Sequence, residues 1–359
     1  MDAHRVYLPQ RLLPAAEKCV ENSGTTHTRQ EVAASCHTFF ETFPHSTNSS
    51  SQFFTYAFPM DYVLGFDGGG TKTECVLMDS AGKIVARSRT GPSNPVRVGV
   101  ERAARQIQTA ANLALQKAGI GRHQIAALGA GLGGTGQPEM KEQMRSALQQ
   151  DFPDAVVSVF TDLETSLAAA GEGPVIVLVA GTGSAAIGRD SSGKIWRAGG
   201  YGTISSDEGS AYDIGRRAVS QAMKEREETG SDSSLGKAIL KQHRFETWAE
   251  LQEYSNRSPD EVFPRIFPTV AIAADDGDLK AREILSQAAN DLSSLVATVA
   301  DHIGGRDDKL FVAKTGGTVG CSIFFDDQVD AALSKLLPHV QIGRLRMSPA
   351  EAAAHAARY

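Results

Sequence analysis

Apolar and polar positions along the chain form blocks that predict an ordered succession of strands and helices. Short apolar runs bounded by glycine or polar residues predict buried strands, and they occupy residues 62–66, 125–134, 155–162, 175–179 and 309–319. Stretches with apolar positions three or four residues apart predict helices, and they occupy residues 100–118, 138–152, 164–171, most of 206–227 and 235–303, with a last helix starting at Pro349. Strands that alternate with helices predict an α/β sheet with helices on its faces.

A glycine hairpin occurs twice, 111 residues apart. Residues 70–84 read GTKTECVLMDSAGKI and residues 181–195 read GTGSAAIGRDSSGKI, with seven of the fifteen positions identical. Each copy follows an apolar run, so each is predicted to form a strand, a Gly-Thr turn, a strand and a DSxGK turn. Glycine turns leave backbone N–H groups uncovered, so that a phosphate can come close. The repeat therefore predicts a duplicated domain whose halves clamp one polyphosphate, with two ordinary hairpins as the alternative.

Composition limits the partners of the chain. A length of 359 residues suffices for two domains with cores of their own. The net charge of −6 argues against nucleic acid, because phosphate backbones attract basic surfaces. No apolar run approaches the roughly 18 residues of a membrane helix, so no membrane partner is expected. The four scattered cysteines contain no CxxC pair, which indicates neither a zinc site nor a disulfide framework and favours the cytoplasm.

The first 59 residues differ from the rest. They contain the polar stretch HSTNSSSQ and no apolar segment long enough for a secretory signal. The first predicted strand begins directly after Met60. Residues 1–59 are therefore expected to be a disordered extension, or one absent from the natural protein, with Met60 as the natural start.

Four glycine-containing motifs occur in a recognisable order. They are DGGGTKT at 67–73, AGTGS at 180–184, SDEGSAYDIG at 206–215 and KTGGTV at 314–319. Secondary motifs fit the same pattern, namely PSNP at 92–95, AGLGGTG at 130–136, FTDLETSLAAAG at 160–171 and AADDGDLKAREIL at 273–285. From about residue 60 onward the chain resembles the sugar kinase/actin-like ATPase superfamily. Within it, the chain resembles the BadF/BadG/BcrA/BcrD ATPase family, most closely its N-acetylglucosamine kinases.

The resemblance implies an α/β protein with two ribonuclease-H-like domains and an interdomain cleft, the actin-like ATPase fold. The N-terminal domain is expected to span residues 60–172, and the C-terminal domain residues 173–359 with a helical insert. The last helix is expected to pack back on the first domain. Glu351 stands where the family is expected to have glycine, so this helix is expected to dock differently.

The resemblance also assigns ATP and Mg²⁺ to the cleft. Asp67 is expected to hold Mg²⁺, which prefers oxygen ligands, whereas a turn-initiating aspartate is the alternative. The residues expected to bind ATP belong to the two hairpins and to a third glycine loop for adenosine, and they are Gly68, Gly69, Gly70, Thr71, Lys72, Thr73, Gly181, Thr182, Gly183, Gly316, Gly317 and Thr318.

Asp162 ends a predicted strand, where open α/β sheets place ligand-binding residues. A sugar kinase needs a carboxylate that takes the proton of the acceptor hydroxyl, and the match of TDLETSLAAAG to the family assigns this catalytic role to Asp162. The alternative role is that of a helix N-cap, and the two roles are compatible.

Residues that resemble the family's sugar-binding positions are Asn94, Asp162, Ser184, Ala185, Gly200, Tyr201, Gly202 and Asp207. Asn94 beside proline is equally a turn signal. The family commonly has tryptophan where this chain has Tyr201 and glycine where it has Ser206. Tyr201 keeps an aromatic face, but Ser206 is expected to narrow or shift the pocket.

The function that follows from the resemblance is phosphorylation of N-acetylglucosamine at O6 by ATP. Kinases of glucosamine or N-acetylmuramic acid are alternatives on the same fold. A different class comprises ATPases that activate 2-hydroxyacyl-CoA dehydratases or benzoyl-CoA reductases and hold an iron–sulfur cluster between subunits. A non-catalytic sugar sensor is disfavoured, because both hairpins and Asp162 are intact. The acceptor's N-substituent and the oligomeric state, a homodimer included, stay open.

Overall fold

The computed structural model describes residues 62–304 and 310–358. Its first sheet consists of β1 (Tyr62–Gly68), β2 (Thr73–Met78), β3 (Ile84–Thr90), β4 (Ile125–Leu132) and β5 (Val156–Thr161). The strand order is β3-β2-β1-β4-β5. The hairpin pairs β1–β2 and β2–β3 are antiparallel, and β1–β4 and β4–β5 are parallel.

The second sheet repeats this arrangement. It consists of β6 (Val175–Ala180), β7 (Ser184–Arg189), β8 (Ile195–Gly199), β9 (Phe311–Thr315) and β10 (Gln341–Arg344). The order β8-β7-β6-β9-β10 has the same antiparallel and parallel pairs as the first sheet. The predicted pair of ribonuclease-H-like sheets is therefore confirmed.

Helices cover both sheets. They are α1 (Pro95–Val98), α2 (Val100–Ala118), α3 (Pro138–Asp151), α4 (Asp162–Ala169), α5 (Ala211–Thr229), α6 (Ser234–His243), α7 (Trp248–Arg257), α8 (Pro259–Asp275), α9 (Leu279–Ile303), α10 (Ile323–Leu336) and α11 (Pro349–Ala356). We call the first sheet with α1–α3 the first lobe, and the second sheet with α5–α10 the second lobe. The largest apolar core lies in the second lobe, where α5–α9 pack together and on the sheet.

Two helices each pack against the sheet of the other half of the chain. Helix α4 follows the first sheet, yet its buried Leu163 and Leu167 pack with residues of β6 and β7. Helix α11 follows the second sheet and packs on β1 and β4 of the first. A β-carbon at Gly65 would lie 2.1 Å from the Ala350 carbonyl oxygen, so this close approach requires glycine in β1.

Glu351 has two partners at the start of α11. It forms a capping box with Ser348, and its carboxylate forms an ion pair with Arg87 of β3. The residue therefore attaches the last helix to the first sheet.

Most predicted elements occur with small shifts of their ends. Helix α2 matches the predicted range, and the helix predicted at 164–171 begins two residues earlier. Helix α10 and strand β10 were not predicted. The predicted extension 1–59 lies outside the described residues. No helix in the described part of the chain is long and apolar enough to cross a membrane.

Candidate functional site

The turn between β1 and β2 leaves part of its backbone uncovered. The Gly69 N–H donates to the Lys72 carbonyl at 2.9 Å and closes the turn. A β-carbon at Gly68 would lie 2.1 Å from Oγ of Ser93, whereas no atom lies within 4 Å of the same position at Gly69. Packing therefore requires glycine at position 68, and Gly69 leaves room for a ligand to reach the backbone.

Hydrogen bonds connect this turn to two neighbouring loops. The Gly69 carbonyl accepts the N–H groups of Ser93 at 3.1 Å and Asn94 at 3.2 Å, and the Gly68 carbonyl accepts the Gly133 N–H at 2.8 Å. The PSNP loop and the loop after β4 are thus held against the hairpin.

The side chains predicted to contact ATP in this turn differ in their surroundings. Thr71 is exposed, and half-buried Lys72 forms an ion pair with Glu74. Thr73 is fully buried, and its hydroxyl donates to the Gly91 carbonyl at 2.7 Å. Thr71 and Lys72 can reach a ligand, whereas the Thr73 side chain stabilises the loop.

The second hairpin turns between β6 and β7. The Gly181 N–H donates to the Gly183 carbonyl at 2.9 Å, and the Gly181 carbonyl accepts the N–H of Ala211, the first residue of α5, also at 2.9 Å. A β-carbon at Gly183 would lie 2.6 Å from Oδ2 of Asp207. Glycine at position 183 therefore makes room for the Asp207 carboxylate, while Thr182 stays partly exposed.

The predicted adenosine loop lies beside the second hairpin. A β-carbon at Gly316, where φ is +113°, would lie 2.1 Å from the Ala180 carbonyl oxygen, and one at Gly181 would lie 3.5 Å from the Gly317 nitrogen. The buried hydroxyl of Thr318 donates to the same Ala180 carbonyl at 2.7 Å. Gly317 has no neighbour within 4 Å of its β-carbon position. The loop therefore presents Gly317 openly, whereas the Thr318 side chain faces the protein.

Two predicted sugar ligands lie inside the second lobe. Ser184 is 2% exposed and Ala185 is 4% exposed. The Ser184 hydroxyl donates to the Glu208 carbonyl at 2.7 Å, and Ala185 packs in the cluster that contains Leu163. These side chains support the loop that follows β8 and are buried beneath it.

That loop contains the other predicted sugar ligands of the second lobe. Gly200 and Gly202 have φ of +74° and +98°, conformations that favour glycine. Tyr201 between them is exposed, and the Arg197 guanidinium stacks 4.6 Å from the centre of its ring. A β-carbon at Gly200 would lie 3.9 Å from Cδ1 of Leu163, so the loop passes close to the start of α4.

Asp162 is the first residue of α4 but does not cap it. Thr161 is the N-cap: its hydroxyl accepts the Glu164 N–H at 3.1 Å, and the Glu164 carboxylate accepts the Thr161 N–H at 2.7 Å. Oδ1 of Asp162 accepts the Leu163 N–H at 3.0 Å. Because a neighbour meets the capping requirement, the second carboxylate oxygen of Asp162 is available for other chemistry.

The available oxygen of Asp162 faces Asn94. A β-carbon at Gly133 would lie 3.1 Å from Oδ2 of Asp162 and 3.4 Å from Nδ2 of Asn94. Asn94 uses its Oδ1 to cap α1, accepting the Val96 N–H at 3.0 Å, which leaves its amide NH₂ directed at this space. The predicted base and one predicted sugar ligand therefore converge at Gly133.

The electrostatic surroundings of Asp162 suit a base. Burial raises the pKa of Asp162, while the Leu163 N–H and the positive charge of Arg197 lower it. A carboxylate with a raised pKa accepts a proton more readily than an exposed one, yet the opposing groups favour its charged form.

Asp67 lies in β1 directly opposite Glu74 of β2. Burial and the negative charges of Glu74 and Asp162 raise the pKa of Asp67 to about 7, whereas Lys72 acts in the opposite direction. A divalent cation would offset this repulsion. Within 62–304 and 310–358 no group of three or more His, Cys, Asp or Glu side chains could hold a metal ion. Mg²⁺ often uses only one or two carboxylates plus water and substrate phosphates, so Asp67 fits such a site.

Asp207 is strained and buried. Its φ is +70°, which is unusual for a residue with a side chain, and it is 5% exposed. Burial raises its pKa, as do Glu208 and Asp162, whereas the Ser184 N–H and Arg97 lower it. Backbone strain of this kind concentrates at functional sites. The aspartates at 67, 162 and 207 come from three separate segments, and the charge of Asp162 raises the pKa of both Asp67 and Asp207.

Sequence reasoning did not identify two arginines at this site. Arg97 lies over Gly70, whose β-carbon position is 3.0 Å from Nη1, and Arg197 acts on Asp162. The sequence pointed to these arginines only by their position next to a motif. Arg97 follows PSNP by two positions, and Arg197 precedes GGYG by two.

Comparisons with known proteins identify the family and the fold. The model of the BadF/BadG/BcrA/BcrD ATPase family matches residues 64–357. An N-acetylmuramic acid/N-acetylglucosamine kinase from Clostridium acetobutylicum is 29% identical over 79% of this chain and 94% of its own length. An N-acetyl-D-glucosamine kinase from Dictyostelium discoideum is 25% identical over 82% and 97%. A structure described as an N-acetylglucosamine kinase from Chromobacterium violaceum has a TM-score of 0.68 and 26% identity, covering 83% of this chain and 99% of that one.

Proposed function

The chain belongs to the BadF/BadG/BcrA/BcrD ATPase family, and on that premise we propose that it transfers the terminal phosphoryl group of ATP to O6 of N-acetylglucosamine. The observation that carries this proposal is the convergence of Asp162 and Asn94 at Gly133, beside the open glycine turn of the first lobe. The carboxylate has one oxygen available to accept the proton of a sugar hydroxyl, and the amide can donate a hydrogen bond to a neighbouring sugar oxygen.

In the proposed reaction, Oδ2 of Asp162 accepts the proton of the acceptor hydroxyl as the hydroxyl oxygen attacks the terminal phosphorus of ATP. The bond between that phosphorus and the bridging oxygen breaks, and ADP leaves with the bridging oxygen. The Leu163 N–H holds the other carboxylate oxygen at 3.0 Å and so limits rotation of the side chain. The Asn94 amide donates to a neighbouring sugar oxygen. Tyr201, which is exposed, offers an aromatic face for the sugar ring.

The N–H groups of Gly69 and Gly181 close the two turns, so the hairpins hold the phosphates through the backbone N–H and hydroxyl groups of Thr71 and Thr182. Mg²⁺ held near Asp67 would neutralise phosphate charge. Gly317, which has open space at its β-carbon position, lets the adenosine approach. A cytoplasmic location, where ATP is present, stays a prediction.

The choice of acceptor rests on the named activities of the relatives. Glucosamine and N-acetylmuramic acid stay as alternative acceptors. The activator function is disfavoured by the described cysteines: Cys75 is 1% exposed, and burial raises its pKa to about 12, so it does not supply a thiolate at a surface. The Cys321 thiol donates to the Gly317 carbonyl at 3.2 Å, within the adenosine loop.

The test is ATP turnover with a panel of N-acetylglucosamine, glucosamine, N-acetylmuramic acid and neutral hexoses, with the products identified by mass spectrometry and NMR. We expect slow hydrolysis of ATP alone and strong stimulation by N-acetylglucosamine, with a 6-phosphate as product. Stimulation by no sugar, together with a brown iron-containing protein, would favour the activator function instead.

A further inference from the structure

Arg97 lies over the turn of the first hairpin, and its guanidinium forms a long ion pair with Asp260. Its Nη1 lies 3.0 Å and its Cδ 3.4 Å from the β-carbon position of Gly70. The side chain is 23% exposed, and α1 begins at Pro95, only two residues earlier. Because Asn94 caps α1 and is bonded to the Gly69 carbonyl, the backbone that carries Arg97 is held against the hairpin.

The other guanidinium nitrogen of Arg97 faces the opposite lobe. Nη2 lies 3.6 Å from Oδ1 of Asp260 in α8, an ion pair that is too long for a good hydrogen bond. The same Asp260 oxygen accepts the Thr203 hydroxyl at 3.3 Å. The long contact leaves guanidinium donors available for a second anion.

Arg97 also acts on the second hairpin. Its charge lowers the pKa of Asp207, and the Asp207 carboxylate lies against Gly183. Arg97 is therefore a cation that contacts one glycine turn and acts electrostatically across to the other, in the space where a polyphosphate would lie.

We propose that Arg97 binds the terminal phosphate of ATP and that Asp260, across the cleft, orients its guanidinium. This inference rests on the proposed function, because it takes the polyphosphate to lie between the two hairpins. A planar guanidinium can serve two anions at once with separate N–H groups. Since Arg97 belongs to the first lobe and Asp260 to the second, an Arg97 bound to both anions links occupancy of the terminal phosphate to the approach of the lobes.

The test compares ATP with ADP, because only ATP has the terminal phosphate. Binding of the β,γ-imido analogue of ATP and of ADP, both with Mg²⁺, is measured by calorimetry on the full chain. For Arg97→Ala we expect affinity for the ATP analogue to fall about 10- to 100-fold, as for loss of a charged hydrogen bond, with ADP affinity within about twofold of wild type. Arg105→Ala, an exposed arginine on α2 that pairs with Glu101, is the matched control and should leave both affinities unchanged.

The positioning role of Asp260 is tested by a double-mutant cycle. Asp260→Asn should lower the affinity for the ATP analogue less than Arg97→Ala does. In the Arg97→Ala background, Asp260→Asn should lower that affinity no further. Arg97→Gln, which keeps most of the side chain's length, serves if Arg97→Ala does not fold, as judged by thermal melting. Additive losses in the double variant would overturn the role of Asp260.

Equal losses of ATP-analogue and ADP affinity in Arg97→Ala would overturn the phosphate contact. The outcome is separable from that of the proposed function. Sugar phosphorylation with normal ATP preference in Arg97→Ala would refute this inference alone. Loss of ATP preference in Arg97→Ala, in a protein that phosphorylates no sugar, would refute the proposed acceptor and leave the phosphate contact standing.

Discussion

The hairpins of the two lobes have similar strand pairing, but the side chains beside their turns differ. In the first lobe, the cross-strand pair next to the one that closes the turn is Asp67 and Glu74, and in the second lobe it is Val179 and Ala185. The first turn contains residues 69–72, whereas the second contains 181–183 and is one residue shorter. The first turn therefore has a charged pair within its own hairpin, whereas the carboxylate beside the second turn comes from Asp207, in the loop after β8.

The second half of each hairpin differs much less. Asp79 accepts the Lys83 N–H at 2.9 Å, and Asp190 accepts the Lys194 N–H at 2.9 Å, so the two DSxGK turns share this hydrogen bond. Asp190 accepts the Ser192 hydroxyl in addition, at 2.7 Å. Five of the seven identities of the repeat fall in these turns, at 79–84 and 190–195. The most similar part of the repeat thus reflects the folding of the hairpins, and the functional part has diverged.

The largest effect is expected at Asp162, whose negative charge raises the pKa of Asp67 beside the first turn and of Asp207 beside the second. Asp162→Asn keeps the size of the side chain and the bond from the Leu163 N–H but removes the base, so turnover should fall about 10²- to 10⁴-fold. Nucleotide affinity and melting temperature should change little, because Thr161 caps the helix. Steady-state kinetics and calorimetry measure these quantities.

Thr161→Ala is the matched control for Asp162→Asn. It removes the cap and should cost about 1 kcal/mol of stability, while the base stays in place and turnover stays within a few-fold of wild type. Near-normal turnover in Asp162→Asn would instead transfer the base role to Asp207.

Gly69→Ala and Gly181→Ala test whether both turns hold phosphate. Both positions have room for a methyl group in the structure and no positive φ, so stability should be retained. A methyl group at the uncovered backbone should weaken ATP binding about 10-fold in each variant. Gly136→Ala, at an equally open position outside the hairpins, is the control. Normal ATP affinity in one hairpin variant would restrict the clamp to the other lobe.

Asp67→Asn and Asp207→Asn compare the acids of the two lobes. Asp67→Asn should raise the Mg²⁺ concentration needed for half-maximal activity about 10-fold, because a neutral amide binds the cation weakly. Asp207→Asn should leave that concentration unchanged and raise the KM for the sugar. Titration of activity with Mg²⁺ and with sugar separates the two roles. An unchanged Mg²⁺ requirement in Asp67→Asn would contradict the metal role.

The smallest effects are expected in the DSxGK turns. Asp79→Ala and Asp190→Ala each remove an acceptor of backbone N–H groups and should lower the melting temperature by about 1–3 °C, with kinetic constants unchanged. Differential scanning fluorimetry and a single kinetic assay suffice. A kinetic effect in one variant only would mean that its turn has a function beyond folding the hairpin.

Sequence patterns predict the bounds of an element best where its apolar stripe and its end signal both lie in the local sequence, as in α2. Residues 100–118 have a continuous apolar stripe and end at a glycine with φ +69°, and the structure has that helix at the predicted bounds. Strand β10, with four residues and no fully buried side chain, carries no such stripe, and it forms because β9 provides a hydrogen-bonding edge.

The same distinction applies to the candidate site. The sequence by itself determined the glycine turns and the carboxylates near them, because backbone freedom and charge are properties of single residues. Only the tertiary structure decided which neighbouring side chains face the cleft: Thr73, Ser184 and Thr318 are buried, each donating to a backbone carbonyl. It also decided that Arg97 meets Asp260, 163 residues away in the chain. Such contacts depend on how two lobes pack, and no local pattern encodes that packing.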